Sequence, residues 1–163
     1  MLRTILTEGD PVLEKKAHPV TKFDERLWAL LDDMAETLKS ANGAGLAAPQ
    51  VGILRRVVLV IDSEDQILEL INPSILHTDG EQDGLEGCLS IPGKWGYVKR
   101  PMTVRLKAQN RNGEWFEAED SGLTARCFCH ELEHLDGHLF KEHVDRLYTA
   151  EEIDAMEQAE ADA

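Results

Sequence analysis

Residues 127–140, CFCHELEHLDGHLF, hold three histidines, two glutamates, an aspartate and two cysteines. His130 and His134 are four residues apart, so on a helix they share one face and two imidazoles can reach one cation. Glu131 follows His130 directly and cannot point the same way. It flanks such a cation and can hold a water beside it. This is the logic of His-Glu-x-x-His, in which the glutamate is a general base rather than a ligand. The plainer reading is two histidines on the surface of a helix.

A catalytic centre of this kind needs a third ligand. His138 lies beyond Gly137, a helix-stopping residue. An extended HExxHxxGxxH pattern would put its third histidine at 140, where Phe140 stands, and His138 and His143 both miss that register. Cys127 is seven residues from His134, a rise of about 10.5 Å at 1.5 Å per residue. Metal bonds of about 2.0–2.3 Å do not span that from one face. Cys129 points away from His130. Both cysteines read as buried packing residues. Outside the helix, the thiolate of Cys88 in EGCLS can come in from a neighbouring strand. Two histidines and one cysteine leave a fourth position open for water, and zinc is the commonest metal for that set.

The elements that position these groups are legible in outline. From about Asp24 to Ala41, apolar residues recur at three- and four-residue spacing, the stripe of an amphipathic helix. Thr21 or Asp24 can cap its start, and Asn42-Gly43 stop it. A second helix is expected from about Ser121 to Asp136, carrying the histidines. A third follows Thr149, where Thr149-x-x-Glu152 forms a capping-box pattern. RRVVLVID (55–62), ILELINP (67–73), TVRLKAQ (103–109) and EWFEAE (114–119) read as strands, the last two as a hairpin about Asn110–Gly113. GAGLAAPQVG (43–52) and EGCLSIPGKWG (86–96) fit neither period and read as loops. The expected fold class is α+β: antiparallel sheets around a central helix carrying HExxH, with an N-terminal helix and a short C-terminal helix.

Bulk properties narrow the function. The 163 residues suit a single domain, 1–163, with 149–163 as an acidic C-terminal helix or tail. A net charge of -14 disfavours direct binding to nucleic acid or to anionic lipid. No apolar run reaches membrane-spanning length, and MLRTILTEGDPVLEKK lacks the pattern of a signal peptide. Three cysteines without framework spacing suggest a reducing compartment, so the cytoplasm is expected.

GAGLAAPQ (43–50), EGCLS (86–90) and HELEH (130–134), in that order, resemble the three signature motifs of the peptide deformylases. LTEGDPVLEKKA, VKRP and LDGHLF extend the resemblance over roughly residues 4–147. It implies a metal hydrolase that removes the formyl group from the N-terminal methionine of newly made proteins. The ligands would be Cys88, His130 and His134, holding one divalent ion, natively Fe2+, with Zn2+, Ni2+ and Co2+ forms possible. Metal-bound water would attack the formyl carbon with Glu131 as general base. The Gln50 amide and the Leu89 N–H would meet the developing negative charge. Ala44, Gly45, Glu86, Gly87 and Arg126 would contact the substrate, and Glu86 and Arg100 would pair to brace the cysteine loop. Partners would be formylmethionyl nascent peptides near the ribosome, met by a monomer.

Four positions depart from the family pattern. Glu133 replaces an aspartate, Ala44 a larger aliphatic residue, and Trp95 stands at a variable, often polar position. Arg126 replaces an aliphatic residue of the methionine pocket. A guanidinium there shrinks or polarises the pocket unless it turns outward, so side chains other than methionine are expected to be accepted more readily. Two other readings use the same residues. An HExxH metallopeptidase lacks its third histidine here and leaves Cys88 without a role. A non-catalytic metal- or peptide-binding relative has no need of Glu131 and Gln50.

Overall fold

The computed structural model describes residues 1–162; Ala163, the last residue of the expected domain, lies outside them. Ten regular elements follow in order: α1 (Glu25–Ala41), β1 (Gly45–Ala47), β2 (Val57–Ile61), β3 (Ile67–Asp79), β4 (Gln82–Cys88), β5 (Ile91–Arg100), β6 (Thr103–Gln109), β7 (Trp115–Ser121), α2 (Gly122–Leu135) and α3 (Ala150–Ala161). Short 3-10 turns occupy Pro11–Glu14, Ala48–Val51 and Phe140–His143. The fold is α+β, with an antiparallel five-stranded sheet ordered β1-β2-β3-β6-β7 and a separate β4-β5 hairpin.

The helix ends follow local chemistry. The Asp24 carboxylate accepts the Leu27 N–H at the start of α1, and Asn42 closes it in the left-handed region. Thr149 and Glu152 exchange both capping-box bonds at the start of α3. No residue of α3 is buried.

Strand β2 shows why the core sits where it does. Its alternate residues Val57 and Leu59 face α1, packing with Leu27, Leu31 and Leu38. Val58 and Val60 face α2, packing with Ala125 and Phe128. A strand covered on both faces has no polar side, so VVLVI is uniformly apolar. Helix α2 is covered in turn, from Thr124 to Glu131 and again at His134 and Leu135. Beyond it a third cluster, Leu13, Ile91, Val98, Leu139 and Phe140, joins the hairpin to the 3-10 turns.

Three expectations need correction. GAGLAAPQVG is no plain loop: Gly45–Ala47 is the edge strand β1, and Ala48–Val51 a 3-10 turn. EGCLSIPGKWG is not a loop either; it is the tip and returning strand of the β4-β5 hairpin. Glycine weakens a strand signal when side chains alone are counted. Here the small residues border a groove. A Cβ on Gly87 would lie 2.5 Å from Trp95 Nε1, so the indole already occupies that space. Strand β3 also runs past the expected end, to Asp79. It does so through an irregularity beside Asn72, whose side chain bonds Val20 N and O and Gln109.

Candidate metal centre

Three segments distant in sequence meet at one point. β1 and its 3-10 turn supply Gln50, the tip of β4 supplies Cys88, and α2 supplies the histidines. The N-terminal segment clips the first two together, since Leu6 N donates to Gln50 O at 2.7 Å and Glu8 N to Ser90 O at 2.8 Å.

One ligand atom from each of Cys88, His130 and His134 lies within 4.8 Å of the others. His134 Nε2 is 3.3 Å from Cys88 Sγ and 3.3 Å from His130 Nε2. His130 Nδ1–H donates to Glu86 Oε2 at 2.6 Å, which leaves the His130 Nε2 lone pair turned toward the cluster. A proton can bridge only one of these close approaches, whereas a divalent cation satisfies all three donors at once. The donor set therefore fits a metal ion. Cys127 and Cys129 are not part of this cluster and pack in the core, as expected of them. Burial pushes the Cys127 thiol up to about 12 and raises Cys129 as well.

Glu131 stands beside the cluster. It is buried, and its Oε1 has no hydrogen-bond partner among the described residues. Burial pushes its carboxyl up to about 7, with His130 pulling the other way. A cation alongside would draw it back down. A carboxylate near neutrality and free of fixed partners suits proton transfer. Gly45 leaves it room, because a Cβ there would sit 2.6 Å from Glu131 Oε2. Gln50 is fixed through its oxygen, which accepts Ala47 N–H at 2.9 Å, so its amide nitrogen is aimed at Ser90 Oγ, 3.1 Å, and toward Cys88 Sγ, 3.6 Å.

Glu86 is the hub of the far side. Arg100 grips it twice, Nε to Oε1 at 3.1 Å and Nη2 to Oε2 at 2.7 Å. Burial alone would raise the Glu86 carboxyl; hydrogen bonds from His130 and Arg100 outweigh it and hold it at about 2. Arg126 does not turn outward. It is buried, and Nη1 donates to Glu86 Oε1 at 3.1 Å and to Val98 O at 2.8 Å. It polarises the groove while being neutralised by a carboxylate that already serves Arg100 and His130.

All the expected site residues line one groove of about 470 Å³ except His134, which lies beneath it and reaches the cluster from the next turn of α2. The groove runs from Asn42–Gly45 on one wall to Leu85–Leu89 and Trp95 on the other. Three contributors were not read from sequence. Ser90 receives the Gln50 amide, Phe140 stacks on His130 with centroids 5.8 Å apart, and Glu133 bridges Arg100 and His143. Ser90 closes the EGCLS motif, so its place beside Cys88 is a local signal for it. The other two depend on how the chain turns after Gly137, which no local spacing reveals.

An α+β domain with an HExxH helix, a converging thiolate and a free buried glutamate has the construction of a metal-dependent hydrolase. The polypeptide deformylase family model matches residues 2–150. A peptide deformylase of Caldicellulosiruptor bescii is 52% identical over 153 residues, covering 94% of this chain and 92% of the relative. That of Agathobacter rectalis is 54% identical over 144 residues, covering 88% and 90%. The crystal structure of peptide deformylase from Thermotoga maritima matches with a TM-score of 0.85 at 41% identity, over 90% of this chain and 99% of that one. A Synechococcus elongatus peptide deformylase in complex with actinonin matches with a TM-score of 0.83 at 39% identity, over 93% and 81%. The chain belongs to the peptide deformylase family, metal-dependent hydrolases that remove the formyl group from nascent peptides. No helix among the described residues is long and apolar enough to cross a membrane.

Proposed function

We propose that Cys88, His130 and His134 hold one divalent ion, natively Fe2+, and that Glu131 moves the proton in hydrolysis of the formyl–methionine amide. The observation that carries this reading is the convergence of the three ligand atoms beside the unpartnered Glu131 Oε1. When bound, the ion supplies Lewis-acid polarisation of the formyl carbonyl and acidifies water. Glu131 takes a proton from the attacking water and returns it to the departing amine nitrogen. The Gln50 amide and the Leu89 N–H stabilise charge developing on the carbonyl oxygen. The peptide lies extended between the free edges of β1 and β4, with Ala44, Gly45, Glu86, Gly87 and Arg126 as its contacts. Small residues at 43–45 let backbones approach closely.

The whole chain works as one catalytic domain and a monomer, in the cytoplasm, on nascent chains near the ribosome. Its charge of -14 speaks against docking on RNA. Actinonin, present in the Synechococcus elongatus structure, is expected to bind this chain as well. The test is formate release from formyl-Met-Ala-Ser by anaerobically purified protein, with bound metal measured. Glu131→Ala should keep the metal and lose activity by 10²-fold or more, on the order expected for a general base. Cleavage of the Met-Ala bond without formate would instead support a peptidase.

A further inference from the structure

The two histidines of the cluster are held differently. His134 Nδ1 is buried without a hydrogen-bond partner among the described residues. His130 is held at two points. Phe140 stacks on one face of its ring. Its Nδ1 begins a continuous chain of side chains that ends at the surface. His130 binds Glu86 at 2.6 Å, Glu86 binds Arg100 at 2.7 Å, Arg100 Nη1 binds Glu133 Oε1 at 2.8 Å, and Glu133 Oε2 accepts from His143 Nε2 at 2.6 Å. The inner three are buried, 7% at His130, 4% at Glu86 and 5% at Arg100, and exposure then rises to 26% at Glu133 and 42% at His143. Phe140 and His143 are the first and last residues of one 3-10 turn, Phe140–His143. That turn therefore grips the His130 ring directly through its first residue and indirectly through its last.

We propose that the turn Phe140–His143 is a positioning element for His130, and that Glu133 and His143 are positioning residues acting through Arg100 and Glu86. The inference rests on the proposed ligand set. Glu133 has the reach for this role: it leaves α2 one residue before His134 and spans both Arg100 on β5 and His143 on the turn. Without Glu133, Arg100 keeps Glu86 but loses the bond that sets its angle. The Nδ1 partner of a ligand histidine then tilts, and outer partners of this kind govern metal retention as strongly as activity.

The test uses the full chain loaded with Co2+, scored by chelator competition and by the visible spectrum of the bound ion. Glu133→Gln should weaken cobalt binding about tenfold, the low end for an outer partner, and His143→Ala, one link further out and exposed, about threefold, below that range. His143→Gln, which keeps an N–H donor, should recover binding to within about twofold, and the double variant Glu133→Gln/His143→Ala should be no worse than Glu133→Gln alone, because both cut one chain. Melting of the metal-free proteins separates positioning from plain stability. Wild-type cobalt affinity in both single variants would overturn the proposal, as would additive losses or losses that only track a lower melting temperature. Cobalt binding that survives Cys88→Ala would strike instead at the ligand set itself.

Discussion

The two walls of the groove are built from opposite materials. The β1 wall, Gly43–Ala47, has no charged side chain, and its Leu46 and Ala47 are fully buried between the helices. It is held by apolar packing and by pairing with β2. The β4 wall, Gln82–Cys88, belongs to a two-stranded hairpin and is held by a buried carboxylate bonded to two guanidiniums and an imidazole. Apolar packing is non-directional and tolerates small adjustments. A buried ionic hub sets direction closely but depends on every member being present. One wall is smooth and apolar, and the wall that carries Cys88 and bonds His130 is charged.

Removing the hub should produce the largest effect. Glu86→Ala leaves Arg126 buried without a carboxylate and Arg100 with only Glu133, and a loss of about 3–5 kcal/mol of stability is expected in urea unfolding. A change under about 1 kcal/mol would mean that the β4 wall is held by packing like its neighbour. Gly45→Ala comes next and probes the smooth wall. Its Cβ would displace the Glu131 carboxylate, the movable end of a side chain. kcat should fall about 10²-fold, the cost of misplacing a reacting group, while the melting temperature stays close to wild type.

Gly87→Ala tests the charged wall by volume rather than charge. The added methyl meets Trp95, and overpacking of this sort costs about 1–3 kcal/mol. Pairing it with Trp95→Ala should relieve most of that clash, as a double-mutant cycle in unfolding would reveal. The smallest effect concerns selectivity. Arg126→Leu leaves Glu86 bonded to Arg100 and His130 and makes the groove less polar. The ratio of kcat/KM for formyl-Met over formyl-Gln peptides should rise about fivefold, within the range one pocket contact supplies. An unchanged ratio would show that Arg126 is spent entirely on Glu86.

The smooth wall and the charged wall were not equally legible. Both carry family motifs, yet neither sequence reads as a strand, because each has glycine where strand patterns have branched residues. Helix α2 is legible to within a residue from Gly137 and the four-residue histidine spacing, although Ser121 at its start makes no capping hydrogen bond through its side chain. The Glu86–Arg100 pair follows from the family resemblance and not from spacing, and the two side chains do bond. The inward turn of Arg126 was left open, because whether a guanidinium points in or out depends on whether a carboxylate already waits inside. The link from Glu133 to His143 was missed, although the departure at Glu133 had been noticed.

By itself the sequence determined which atoms are available: two imidazoles one helical turn apart, a carboxylate beside them that cannot share their direction, and a thiol in a glycine-flanked segment. Those facts follow from short-range geometry. Only the tertiary structure decided that Cys88 comes within 3.3 Å of His134, that Glu86 orients His130, and that the turn after Gly137 folds back to hold both Phe140 and His143 near the site. The physical reason is burial. Glu86, His130 and His134 are taken out of water there, and that arrangement persists only where segments distant in the chain supply the partners that repay the desolvation, whereas Phe140 is held by apolar packing and His143 stays exposed.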